Sequence, residues 1–325
     1  CSIITSTHMQ KDRKKAFILW FEEVGMKDIR LVGGKNAALG EMYSKLQPLG
    51  IKIPNGFAIT TFAYRYFLEK AGIAEKIKER LVKLNTHNLK DLSGFARSRE
   101  ARQKLGREIR QLLLDAELPH PLQQKIVQAY RKLGRRKSVA VRSSATTEDL
   151  QDASFAGQQE TYLNVVGDEA LLEAIQKTMA SLFTDRAISY RKDKGFSSFG
   201  RISVGVQEMV RADKAAAGVM FTIDPETGFD KVVLINGSYG LGEMVAQGEV
   251  TPDEYVVFKP MLEKKKGIIE RTLGPKRQKL VYGSFGTKKI AVSERDRRKL
   301  CLQDKEILKL ARWGMEIEKH FGKPM

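Results

Sequence analysis

Apolar residues recur at helical spacing through most of the first half of the chain. Tyr64, Phe67 and Leu68 share one face of a helix predicted over 62–71, with Thr60 or Thr61 as its N-cap. Ile77, Leu81 and Leu84, then Ile109, Leu112 and Leu113, then Leu122, Ile126 and Ala129 keep that spacing and predict three or four helices between 74 and 134. Leu118-Pro-His-Pro121 reads as a helix start. His87 and His120 have no paired ligands and read as loop residues. Leu171, Ile175 and Met179 mark a further amphipathic helix over 168–183, and a second helix follows over 184–192.

Strands are expected where short β-branched or aromatic runs are bounded by turn residues. Such runs are 17–21, 56–61 after Pro54, 139–141, 162–166, 202–210, 215–223, 232–235 and 251–258. Asp224-Pro-Glu-Thr-Gly228 reads as a tight turn. Residues 259–299 are rich in Lys and Arg; short strands at 267–271 and 279–282 read as one exposed hairpin. A last helical stretch covers 293–321 through Leu300, Leu308, Ala311, Met315 and Ile317, with Trp313 and Phe321 as core or interface aromatics. This mixture is an α+β pattern. It is divided into a first lobe, 15–200, which includes the helical segment, and a second, 201–325. Residues 1–14 are expected to be a disordered or extraneous start.

Composition narrows the class. With 325 residues, 42% of them hydrophobic, the chain can fill two or three cores. The formal net charge of +18 raises nucleic acid as a partner. The excess is spread over 75–137 and 259–299, however, with no aromatic-interleaved basic motif and no zinc-finger spacing. Attraction of anionic nucleotides, a solubilising surface or an acidic partner domain is the expected use. Cys1 and Cys301 form neither a disulfide framework nor a metal cluster, which suits a reducing, cytoplasmic setting. The early apolar run 16–21 is too short for a signal or a span, and no membrane partner is expected.

Candidate chemistry gathers at 139–166. A buried-looking strand, Val139-Ala-Val141, runs into Arg142, then Ser143, Ser144, Thr146 and Thr147, and a small-residue loop, 154–161, leads to the next strand. An arginine fork at a strand end suits a phosphate, and a glycine loop can bring amides close to one. An ordinary surface ion pair and a plain hairpin fit the same residues. Earlier, Gly33-Gly34 precedes Lys35, and Ala37, Leu39, Met42 and Leu46 then begin a helical pattern. That places Lys35 near a helix N-terminus, where anions are favoured. A solvated first-turn lysine fits equally well. Gln207-Glu208-Met209-Val210 could meet a flat base edge, or could be a strand running into a loop.

The stretch RSSATTEDLQDASFAGQQETYLNV resembles the N-terminal nucleotide-binding region of the phosphoenolpyruvate synthases, relatives of pyruvate phosphate dikinase and the rifampin phosphotransferases. GGKNAALGEM and GSYGLGEMVAQGEVTPDEY extend the likeness over roughly 15–325. The resemblance implies an ATP-grasp fold, two α+β lobes with the nucleotide between them. It implies that Lys35 and Arg142 hold the triphosphate and that the loop with Gly157, Gln158 and Thr161 closes over it. Gln207, Glu208, Met209 and Val210 would take the adenine, with Thr222 and Glu243 as further ATP contacts. The activity implied is that of a pyruvate, water dikinase: ATP, pyruvate and water give phosphoenolpyruvate, AMP and phosphate through a phosphohistidine. Mg²⁺ is expected for the family, but its ligands would lie on strands after Met325. The phosphohistidine and pyruvate-binding domains have no counterpart in these residues either. Whether the chain is an enzyme by itself is therefore open. A non-catalytic nucleotide-binding module, a rifampin-type phosphotransferase and a basic nucleic-acid binder are the alternatives.

Overall fold

The computed structural model describes residues 13–85, 92–145, 161–193, 199–264 and 266–325. The chain divides into two compact units, Cys1–Met209 and Val210–Met325.

The first unit holds helices α1 (Ile29–Leu46), α2 (Thr61–Lys70), α3 (Ala74–Asn85), α4 (Leu92–Asp115), α5 (His120–Leu133), α6 (Asp168–Ala180) and α7 (Asp185–Asp193). Its strands are β1 (Ile18–Trp20), β2 (Gly56–Ile59), β3 (Val139–Ala145), β4 (Thr161–Val165) and β5 (Ile202–Glu208), in one sheet of order β1-β2-β5-β3-β4. All neighbours are antiparallel. The two-residue pleat sends alternate side chains to opposite faces. On one face Phe57, Ile59, Val139, Val141, Ile202, Val204 and Val206 pack with Phe67 of α2, Ile77 of α3, Ile109 of α4, Ile126 of α5 and Ile175 of α6. On the other face Leu19 and Ala58 pack with Val32 and Ala37 of α1.

Local chemistry sets the helix ends. Thr60 caps α2: its hydroxyl accepts from the Ala63 amide at 3.2 Å and donates to the Ala16 carbonyl at 2.6 Å. α5 starts at His120 with Pro121 in its first turn, so His120 is a helical residue and not the loop residue expected. Proline presets the helical φ and lacks the amide that would be unsatisfied there.

Strand β3 is longer than expected. It continues through Arg142 to Ala145 because β5 pairs with it from Val139↔Glu208 to Ala145↔Ile202. Arg142 therefore sits within the strand and not at its end. Ser143 and Ser144 are buried, and the Ser144 hydroxyl faces α1.

The second unit contains an antiparallel sheet of β6 (Ala216–Phe221), β7 (Val232–Tyr239), β8 (Asp253–Phe258) and β9 (Ile268–Thr272) in that order. A separate ribbon pairs β10 (Gln278–Tyr282) with β11 (Thr287–Ala291). Its helices are α8 (Glu243–Ala246), α9 (Glu294–Arg297) and α10 (Asp304–Phe321). α10 lays Ile307 and Ala311 on Val233, Ile235, Tyr255 and Val257. The expected hairpin is thereby corrected: β9 pairs with β8, and β10 turns back on β11, whose sequence TKKIA carries too little apolar character to read as a strand. Gly237 to Tyr239 belong to strand β7. The closing helix begins at Asp304, leaving Leu300 outside it.

A buried polar cluster ties this unit together. Asp253 and Lys276 are both fully buried and ion-paired. The Asp253 carboxylate also accepts from the Gly274 amide (2.9 Å), the Cys301 amide (2.7 Å) and the Tyr255 hydroxyl (3.3 Å). Lys276 donates in addition to the Gly274 carbonyl at 2.9 Å. β8 and the loops at 274–276 and 301–302 are thus held by one carboxylate. Burial, followed by the Asp253 charge, pushes the neighbouring Cys301 thiol from 9.0 up to about 12, against a lowering by the Tyr255 hydroxyl.

Two outcomes are expected. Lys276→Met leaves Asp253 charged and buried without its partner, so this unit should lose about 3–5 kcal/mol, read as a lower urea midpoint. An unchanged midpoint would show that the pair does not hold the fold. For Cys301, a folded-state thiol raised above its unfolded value adds stability below pH 9 that is lost as pH rises toward about 12. At pH 8, in a Cys1→Ser background, its alkylation by iodoacetamide should run about a hundredfold slower in the folded chain than in urea. Equal rates would contradict the burial.

Candidate functional site

The site is built on the sheet face that carries α1. That helix is broken at Gly33, whose backbone is left-handed and extended (φ 73°, ψ 164°). A side chain there would be strained, and a Cβ would lie 2.2 Å from the Ser144 carbonyl oxygen of β3. Glycine thus lets the chain touch the strand and start a second helical segment at once. The new segment has its own unsatisfied amides. One of them, Asn36 N, donates to the Ser144 hydroxyl at 3.1 Å. A strand residue 108 positions away therefore caps the segment on which Lys35 sits.

The Asn36 side chain continues the contact. Its Nδ2 donates to the Ser203 hydroxyl of β5 at 3.1 Å, and that hydroxyl donates to the Ile59 carbonyl of β2 at 2.7 Å. Because Ser203 gives its proton to Ile59, it must accept from Asn36, which fixes the amide orientation. Asn36 Oδ1 then rests against Gly205: a Cβ on Gly205 would lie 2.3 Å from it and 3.4 Å from Cγ of Arg142.

Register completes the face. Arg142 is opposite Gly205 on β5 and Thr161 on β4. Gln207 lies two residues beyond Gly205, on the same face, opposite Ala140. Lys35, Arg142, Thr161 and Gln207, far apart in sequence, are brought to one side of one sheet. A helix start carrying a lysine, next to a strand arginine, offers donors and positive charge to an anion.

The other expected residues fall elsewhere. Gly157 and Gln158 lie outside the described residues. Glu208 pairs with Lys137 at 2.6 Å, and its amide donates to the Asn55 carbonyl. The Met209 amide donates to the Ser138 carbonyl at 3.0 Å, and its sulfur accepts from the Asn164 amide at 2.9 Å. The amides of both are thus committed within the first unit. Gln207 Nε2 donates to the Pro54 carbonyl at 3.2 Å.

Val210, Thr222 and Glu243 belong to the second unit. Val210 is exposed, and its carbonyl accepts from the Tyr282 hydroxyl at 3.3 Å. Thr222 is buried and exchanges backbone and hydroxyl hydrogen bonds with Met325. Glu243 opens α8; burial raises its carboxyl, and Glu249 adds to the effect.

Asn36, Ser203 and Gly205 were not singled out from the sequence. The Gly33-Gly34 pair was the local signal for a break, but hydrogen bonds spanning 108 and 167 residues leave no local trace. Among the described residues, no group of three or more His, Cys, Asp or Glu side chains is arranged to hold a metal. No described helix is long and apolar enough to cross a membrane.

Comparison with known proteins identifies the family. The chain is 52% identical over 324 residues to a phosphoenolpyruvate synthase of Aquifex aeolicus, covering 97% of this chain and 37% of the relative. It is 51% identical over 324 residues to that of Synechocystis sp., covering 95% and 38%. It is 44% identical over 327 aligned residues to that of Escherichia coli, covering 98% and 40%. The chain thus spans 37–40% of the length of these curated relatives. The family described as "Pyruvate phosphate dikinase, AMP/ATP-binding domain" matches residues 29–325, and the chain belongs to that family.

Proposed function

We propose that this chain is the ATP-binding part of a phosphoenolpyruvate synthase, built on an ATP-grasp fold. The whole reaction converts ATP, pyruvate and water to phosphoenolpyruvate, AMP and phosphate through a phosphohistidine. The phosphohistidine and pyruvate sites would lie in the share of the relatives' length that this chain does not span. The similarity to phosphoenolpyruvate synthases favours this reading over an antibiotic phosphotransferase. The observation that carries it is the convergence of the Lys35 helix start and the Arg142 strand on one sheet face, over Gly205.

In this reading the chain's own residues bind and orient the nucleotide. Phosphoryl transfer asks for positioning and charge neutralisation more than for covalent chemistry. Lys35 supplies a point charge at a helix start, and Arg142 supplies a planar fork that can take two phosphate oxygens. Gly157 and Gln158, expected phosphate contacts, lie outside the described residues; Thr161 stands opposite Arg142 on β4 and can add a hydroxyl donor. Gln207 to Val210 face the adenine; the amides of Glu208 and Met209 are committed to Asn55 and Ser138, so the contact falls to the other groups of this segment. Thr222 and Glu243 add the remaining contacts. Mg²⁺, the family's expected cofactor, would neutralise phosphate charge, and its ligands would come from outside the described residues.

Lys35→Ala and Arg142→Ala are each expected to weaken ATP binding about ten- to hundredfold, the loss of one charge-assisted hydrogen-bonding group, while urea midpoints stay near the parent's. Arg142→Lys should recover only part of the affinity, because the bidentate geometry is lost. Calorimetric titration checks all three. Unchanged affinity in both alanine variants would remove these residues from the site.

A further inference from the structure

We propose that Asn36 is a positioning residue for ATP binding, setting where Lys35 stands relative to Arg142. This rests on the reading of those two residues as phosphate contacts. Asn36 is fully buried, so it does not itself reach solvent or ligand. It is fixed from three directions. Its amide is held by Ser144 of β3 at 3.1 Å, and its side-chain nitrogen by Ser203 of β5 at 3.1 Å. Its Oδ1 has no hydrogen-bond partner among the described residues and is pressed onto Gly205.

A buried amide oxygen without a strong partner is costly. Here it gains at most a weak C–H contact from the Gly205 backbone. What that arrangement secures is register. Gly205 is the β5 partner of Arg142, and its missing Cβ would stand between Asn36 Oδ1 and Arg142 Cγ. The residue next to Lys35 and the stem of Arg142 thus close on the same backbone atom from two sides. Small changes at this point displace one phosphate contact relative to the other, and a site that needs both at once is sensitive to such a shift. Ser144 and Ser203 hold the same helix segment by its backbone and its side chain, so both belong to the device.

The test is a double-mutant cycle on the 325-residue chain, with ATP affinity read by calorimetry and folding by urea midpoint. Asn36→Ala is expected to weaken ATP binding about tenfold, and the loss should shrink to less than about twofold when Asn36→Ala is made in a Lys35→Ala background. The drop in urea midpoint should be the same in both backgrounds, because packing does not depend on the lysine. A merely structural role moves the midpoint without this coupling in affinity. Gly205→Ala, which drives a methyl into Asn36 Oδ1, should give the same coupled loss, and Ser203→Ala a smaller one that serves if Asn36→Ala does not fold. If Lys35→Ala weakens binding but Asn36→Ala does not, or if the Asn36 effect persists undiminished without Lys35, the positioning role is overturned and the phosphate reading stands. If Lys35→Ala has no effect on affinity, the reading beneath the proposal fails as well.

Discussion

The first unit's candidate site depends on one close approach: the backbone at Gly33 against strand β3 at Ser144. A Cβ on Gly33 would sit 2.2 Å from the Ser144 carbonyl oxygen, so any other residue would push helix and strand apart. Because they touch, the Ser144 hydroxyl reaches the Asn36 amide and caps the helix segment after the break. Because the segment is capped there, Lys35 stands at a helix start and is partly buried. The same strand carries Arg142, two residues earlier on the same face. Fold and site are one arrangement in this unit: the contact that ends one helical segment begins the next beside the arginine.

Burial on both faces makes that arrangement rigid. Strands β3 and β5 are covered on one side by the large helical core and are met on the other by Gly33 and Asn36 of α1. Groups held between two packed layers keep their geometry without ligand, and such preorganisation is what electrostatic recognition of a polyphosphate needs. The second unit uses a different device. One buried carboxylate, Asp253, gathers two backbone amides, a hydroxyl and an ammonium from three stretches of chain. Removing either charge leaves the other unpaired in the interior, so the cluster specifies the loops at 274–276 and 301–302 more than it adds net stability.

Much of the fold was legible in the sequence where local chemistry decides structure. The cap at Thr60 or Thr61, which falls to Thr60, the proline start of α5, and the 3.6-residue spacing of Leu122, Ile126 and Ala129 were legible because neighbours in sequence set them. The readings that failed were settled by distant partners. Arg142, Ser143 and Ser144 look like the end of a strand until β5 supplies hydrogen bonds along their whole length. The ribbon strand β11 is polar because both its faces are largely exposed, so no apolar alternation marked it. For the candidate site, Lys35 and Arg142 could be proposed from their charge and from the glycines nearby. Asn36, Ser203 and Gly205 did not, since a buried asparagine and a strand glycine gain their meaning only from what packs against them.

The most direct measurement is site mapping with an ATP analogue whose terminal phosphate carries a reactive acyl group, which transfers to whichever lysine lies beside the phosphates. Digestion and mass spectrometry then report acylation at each lysine. The account predicts preferential modification of Lys35 that excess ATP suppresses. Modification spread over the basic surface, with Lys35 spared and no protection by ATP, would contradict it.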